Sequence, residues 1–219
     1  MTKPADLTIK LYPASGSRRI MYVLVPMMMA GNWFALQSSH FGVNIAVISG
    51  MDWDNDLTPW PAPGQPPGDP AFKGLAPQFL HTFLHSVVPS VEKKLGVTMP
   101  GRTLCGISLS GLFAVWARTQ TDVFTNIISI SGSFWYQNFA TWFATAPMPE
   151  IEGGKVYLSL GNKEPLSHVK AFQSVGTATQ EVLATFERHG IVTDFRWEPG
   201  THYAAPEPRL LHAFTYIFS

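Results

Sequence analysis

The sequence predicts an α/β fold: a mostly parallel central sheet with helices on both faces. Short runs rich in Val, Ile and Leu alternate with longer stretches of helical period, the order that a parallel sheet with crossover helices requires. Most of these runs are continuously apolar, as strands buried on both faces are. The 219 residues suffice for one sizeable core, and 1–219 is read as a single domain.

Leu7 to Tyr12 alternates apolar and polar residues, as a half-buried strand would. Ile20–Pro26 and Val43–Ser49 are denser in branched apolar residues and read as buried strands. Asp52 to Gly74 breaks the rhythm with six prolines and with Trp53 and Trp60. Composition alone suggests a polyproline-like surface connection. The segment leaves a buried strand, however, and should emerge at the carboxyl edge where open α/β sheets bind ligands. It is therefore expected to form a stiff wall of the active site.

Leu75 to Leu95 reads as one helix with Leu75, Phe79, Phe83, Val87 and Val91 on its apolar face. Pro89 should kink or break it. Next come a strand (Arg102–Ile107), a helix (Leu109–Thr119), a strand (Asn126–Ser131), a weaker helix (Gln137–Phe143) and a strand (Lys155–Leu160). A helix near Phe172–His189, a strand (Val192–Glu198) and a last helix (Pro208–Phe218) complete the pattern.

Charged residues make up 14% of the chain, well below the roughly 25% of an average domain, while its hydrophobic content excludes intrinsic disorder. Zero formal net charge leaves no basic footprint for nucleic acid or anionic lipid. A single cysteine rules out an internal disulfide and any multi-Cys metal site. The N-terminus lacks an apolar signal region, and the longest apolar run, Ile20 to Ala30, is broken by Pro26. A soluble cytoplasmic protein is expected, with no membrane or nucleic-acid partner; a homo-oligomer stays open.

One motif carries chemistry. Gly106-Ile107-Ser108-Leu109-Ser110-Gly111 joins an apolar strand directly to a helix, a nucleophile elbow with G-x-S-x-S-G in place of G-x-S-x-G. Ser108 must sit on a tight turn, where residues two before and two after it crowd each other. Gly106 and Ser110 are both small. The helix start offers free N–H groups to developing negative charge, that of Leu109 first. A second oxyanion donor would come from the loop after Ile20–Pro26, from Met27 or Met28, because Pro26 has no N–H. Cys105 reads as a small buried hydrophobe.

A serine hydroxyl needs a base, and on such a fold the acid precedes the histidine in the chain. His168, His189 and His202 follow Ser108 before the last helix. His189 suits a helix C-terminus and His168 lies in a polar loop, so His202, in the loop after the last strand, is favoured. Glu164, just beyond a strand end, is the favoured acid and Asp194 its rival. His81 and His85 are four apart on a helix, but they lack a neighbouring glutamate and a third ligand. No metal or other cofactor is expected.

The stretches GISLSGLFAVWARTQTDVFTNIISISGSFWY, ISGMDWDNDLTPWPAP and YLSLGNKE resemble the Putative esterase family of α/β-hydrolases (esterase D-like, enterochelin esterase-like). The resemblance runs from about Ile20 over most of the chain. It implies an α/β-hydrolase fold with Ser108 as nucleophile, Glu164 as acid and His202 as base. The chain departs from it at Val25-Pro26-Met27-Met28, which lacks the glycine-rich turn common there. The chain is also short for the fold, leaving no room for a large cap domain.

The expected activity is a serine carboxylesterase acting on a small or aromatic acyl ester. Trp53, Trp60, Phe134, Trp135 and Tyr136 are the candidate substrate-binding residues. A catalytically silent scaffold that binds an apolar ligand or a partner, or an acyltransferase, is the alternative.

Overall fold

The computed structural model describes residues 7–27, 32–96 and 100–219. Seven strands form one sheet: β1 (Thr8–Tyr12), β2 (Arg19–Leu24), β3 (Asn44–Ser49), β4 (Gly101–Ile107), β5 (Asn126–Ile130), β6 (Lys155–Gly161) and β7 (Val192–Glu198). Their order is β1-β3-β2-β4-β5-β6-β7. The β1–β3 pair is antiparallel and every other pair is parallel.

The helices are α1 (Trp33–Phe41), α2 (Trp53–Asp56), α3 (Ala76–Thr82), α4 (Val88–Leu95), α5 (Leu109–Ala117), α6 (Phe139–Phe143), α7 (Lys170–Gln173), α8 (Val175–Arg188) and α9 (Pro206–Phe218). No described helix is long and apolar enough to cross a membrane.

Alternation along β2 divides the core in two. Ile20, Tyr22 and Leu24 face a cluster with α3, α4, α5, α6 and α8. Met21 and Val23 face a smaller one with Phe34 of α1 and Leu210, Ala213 and Phe214 of α9. Both faces of the sheet are thus covered, which is why its central strands carry apolar residues at consecutive positions. Helix α5 has all nine residues buried. A helix apolar all round belongs in the interior, and this one fixes the element that begins at Ser108.

The structure adds detail to one expected helix and reveals one that was not expected. The stretch read as one helix over Leu75–Leu95 is α3, a π-helical turn (Phe83–Val87) and α4. Pro89 lies in the first turn of α4, directly after that helical turn, and cannot donate to a carbonyl of it. The N–H of Val88 reaches back five residues to Phe83 O, so the disruption falls just before the proline. Helix α1 was not anticipated. Only Phe34 and Ser38 of its nine residues are buried, so it carries no apolar period to read.

The parallel register sets the site. Gly106 of β4 stands opposite Leu24 and Ser129, and Gly161 of β6 opposite Glu198 of β7. The strands therefore end together, and the loops carrying Ser108, Ser131, Glu164 and His202 leave one edge of the sheet.

Candidate active site

Ser108 is built by strain. Its φ of 61° and ψ of −124° lie where a side chain is rarely found, a conformation that costs on the order of 1–3 kcal/mol and persists only when its surroundings impose it. The imposing contacts are its N–H donating to Ile130 O at 3.0 Å and its carbonyl accepting from Leu112 N–H at 3.0 Å and Ser133 N–H at 3.1 Å. A Cβ on Gly106 would stand 2.0 Å from Ser110 O, so the crowding across the turn is real and only glycine fits. Ser110 does more than stay small. Its hydroxyl accepts from Ile107 N–H at 2.7 Å and lies 2.9 Å from Leu24 O, tying the elbow to the end of β2.

His202 reaches Ser108 from the loop after β7. Its Nε2 is 2.9 Å from Ser108 Oγ and its Nδ1 is 2.8 Å from Glu164 Oε2. Glu164 is buried, with 4% of its side chain exposed. Burial alone would raise its carboxyl pKa. The hydrogen bond and charge of His202, then the Ser131 hydroxyl and the Gly161 N–H, outweigh burial and hold the carboxyl below its ordinary value. An ionised carboxylate only accepts, so Nδ1 carries the ring proton and Nε2 is left to accept from the Ser108 hydroxyl. A hydroxyl, an imidazole and a carboxylate linked in that order can pass the hydroxyl proton to the ring as the oxygen attacks an electrophile.

The N–H of Leu109, at the first position of α5, has no acceptor within the helix and donates to no backbone carbonyl among the described residues. Met27 follows β2 with 74% exposure; Met28 lies outside the described residues.

Ser108, His202 and Glu164 open onto a cavity of about 640 Å³. Trp53, Gln65 and Phe72, from the proline-rich segment, line it together with Trp135 and Phe172, and the Trp135 ring lies 6.3 Å from Phe72 and 4.5 Å from Phe172, centroid to centroid. Lys163, His168 and Tyr203 stand on its lining as well.

Three of the five aromatic residues proposed to bind substrate are absent from that lining. Phe134 stacks on Phe139 with centroids 5.6 Å apart, and Trp60 packs on Tyr136, Phe139 and Trp142. Tyr136 donates its hydroxyl to Trp60 O. These rings pack on one another and on Phe139 and Trp142, away from the lining. Trp53 and Trp135 do line the cavity.

Asp194 pairs with Tyr157 within the β6–β7 ladder, away from the strand ends, and His189 caps the C-terminus of α8. Cys105 is fully buried, and burial pushes its thiol pKa up. The rings of His81 and His85 lie 4.4 Å apart, and among the described residues no three His, Cys, Asp or Glu side chains group as metal ligands.

Three polar residues escaped the sequence reading. Ser133 places its Oγ 3.3 Å from Ser108 Oγ. Ser131 donates to Glu164 Oε1 at 2.7 Å, and Arg209 Nη1 donates to Ser131 Oγ at 2.6 Å and to Glu164 Oε1 at 3.3 Å. The serines stood within the family-like stretch without an assigned part; nothing local to the last helix marked Arg209.

The fold and the family follow from comparison. The chain resembles, at 17% identity and a TM-score of 0.78, the IroE-like serine hydrolase from Shewanella oneidensis, over 97% of this chain and 75% of that one. The siderophore hydrolase EstB from Aspergillus nidulans gives 17% and 0.73, over 97% and 90%. The BES protein from Bacillus cereus gives 20% and 0.69, over 97% and 91%. The architecture is that of the α/β-hydrolases. Among curated proteins, the uncharacterized protein YbbA of Bacillus subtilis (strain 168) is 28% identical over 156 residues, which are 68% of this chain. The match spans only 61% of that relative's length. The model of the family described as "Putative esterase" matches residues 27–205, and the chain belongs to that family.

Proposed function

We propose that the protein is a serine-dependent carboxylesterase that cleaves a small or aromatic acyl ester through an acyl-enzyme on Ser108. The observation that carries this is the unbroken hydrogen-bonded line from Ser108 Oγ to His202 to Glu164, 2.9 Å and 2.8 Å long, on the lining of a cavity. Ser108 attacks the ester carbonyl while His202 Nε2 takes its proton. Glu164 holds the ring in the tautomer that can do this and stabilises the imidazolium that results. The Leu109 N–H faces the charge that develops on the carbonyl oxygen. His202 then gives its proton to the departing alkoxide, and water activated by the same ring releases the acid.

The aromatic walls from Trp53, Phe72 and Trp135 support an aromatic or compact apolar acyl group. The likeness to a siderophore hydrolase and to a serine hydrolase supports hydrolysis in the same sense. The test is p-nitrophenyl acetate turnover together with fluorophosphonate labelling. Wild type is expected to do both and Ser108→Ala neither. A purified wild type that shows neither activity nor labelling would overturn the assignment.

A further inference from the structure

We propose that Arg209, on α9, is a positioning residue that holds Glu164 and the His202 loop in one working geometry; this rests on the esterase reading above. Glu164 and His202 stand on loops that leave different strands, so their mutual placement to a few tenths of an ångström is not set by either strand alone. Part of the join is backbone. The N–H of Asn162 donates to Glu198 O at 2.8 Å and that of Lys163 to Gly200 O at 3.0 Å, extending the β6–β7 ladder past its end. That extension stops before His202.

Arg209 takes over where the ladder stops. Its guanidinium is buried, with 4% of the side chain exposed. Nη1 serves the acid side, bonding Ser131 Oγ and Glu164 Oε1; Nη2 donates to Pro199 O at 3.1 Å and Thr201 O at 3.0 Å, the carbonyls that precede His202. One rigid fork thus spans both loops. The two oxygens of Glu164 are divided by task. Oε1 is anchored by Gly161 N–H, the Ser131 hydroxyl and Arg209, and Oε2 is left for His202. The approach is close enough that a Cβ on Gly161 would lie 2.8 Å from both Arg209 Nη2 and Glu164 Oε1.

A lysine keeps the charge but not the fork, so it cannot reach all four acceptors in the same way. A second contact shows what a simple anchor of α9 looks like. His212 Nδ1 is 2.7 Å from Glu198 Oε1, joining the same helix to β7 without touching the His202 loop.

The test compares Arg209→Met, Arg209→Lys and His212→Ala with wild type by p-nitrophenyl acetate kinetics, fluorophosphonate labelling rate and Tm. Arg209→Met is expected to lose about 10- to 100-fold in kcat, the scale of a misaligned catalytic group. Its KM should stay within about twofold and its labelling should slow in step, with Arg209→Lys recovering part of the loss. His212→Ala is expected to lower Tm with kcat within about twofold of wild type. The proposal is overturned if Arg209→Met keeps wild-type kcat, or if His212→Ala loses as much kcat at the same cost in Tm. Should Arg209→Met fail to fold, Arg209→Lys and Ser131→Ala carry the test, and unchanged kcat in both overturns it. A wild type that neither labels nor turns over ester removes the esterase reading and this proposal with it. An active wild type with an unaffected variant removes this proposal alone.

Discussion

His202 Nε2 lies 2.9 Å from Ser108 Oγ across 94 residues of chain. The contact exists because β4 and β7 end on one edge of the sheet and the turn after β7 folds back over it. Replacing the ring by His202→Ala leaves the hydroxyl without a proton acceptor. Turnover of p-nitrophenyl acetate should fall by roughly 10³-fold or more, while near-ultraviolet circular dichroism stays that of wild type.

Glu164→Gln tests the carboxylate in two ways. An amide can present its NH₂ to Nδ1 and favour the wrong ring tautomer, so kcat should drop by about 10²- to 10⁴-fold. The same change strips Arg209 of its buried counter-charge, and unfolding in urea should show a loss of about 3 kcal/mol.

The pH dependence of that loss has a definite sign. The folded-state pKa of Glu164 is held below its ordinary value of 4.5. Between the two values the unfolded chain binds more protons than the folded one, so stability rises with pH there. The contribution is complete above about 4.5 and is lost as pH falls through the lower folded value. The stability gap between wild type and Glu164→Gln should therefore be widest near neutrality and shrink in acid. A gap that widened on acidification would contradict the assignment.

Gly106→Ala addresses the elbow. The new Cβ would stand 2.0 Å from Ser110 O, a backbone atom that cannot swing aside. The variant should be less stable by about 2 kcal/mol or more, with Ser108 labelling by fluorophosphonate slowed because the turn must open. Equal stability and labelling would mean the turn is looser than its geometry indicates.

The aromatic residues should divide by position. Trp135→Ala, on the cavity lining, is expected to raise KM for aryl-acyl esters by about fivefold to tenfold, near 1 kcal/mol, with little change for acetate. Trp60→Ala, behind the wall, should leave that selectivity alone and lower Tm, since its ring packs on Tyr136, Phe139 and Trp142.

Much of this candidate site was legible in the chain. The elbow announces itself because a strand running straight into a helix needs small residues at fixed offsets, a demand met within six positions. Glu164 and His202 could be singled out because each follows a strand end, and strand ends are read from local apolar runs. Element types followed for the same reason, with α1 missed where burial was too sparse to impose a period, and the break expected at Pro89 taking the form of a π-helical turn just before it.

By itself the sequence determined the order of the seven strands along the chain, the tight turn at Ser108 and the short set of side chains that could meet there. Only the tertiary structure decided that Trp53 and Trp135 face the cavity while Trp60, Phe134 and Tyr136 pack behind it. It alone brought Ser131 and Arg209 onto Glu164, from loops and helices 33 and 45 residues away. The division has a physical cause. Backbone period and turn sterics act between neighbours in the chain. Which face of a turn meets solvent, and which distant guanidinium reaches a buried carboxylate, depends on how separate elements pack.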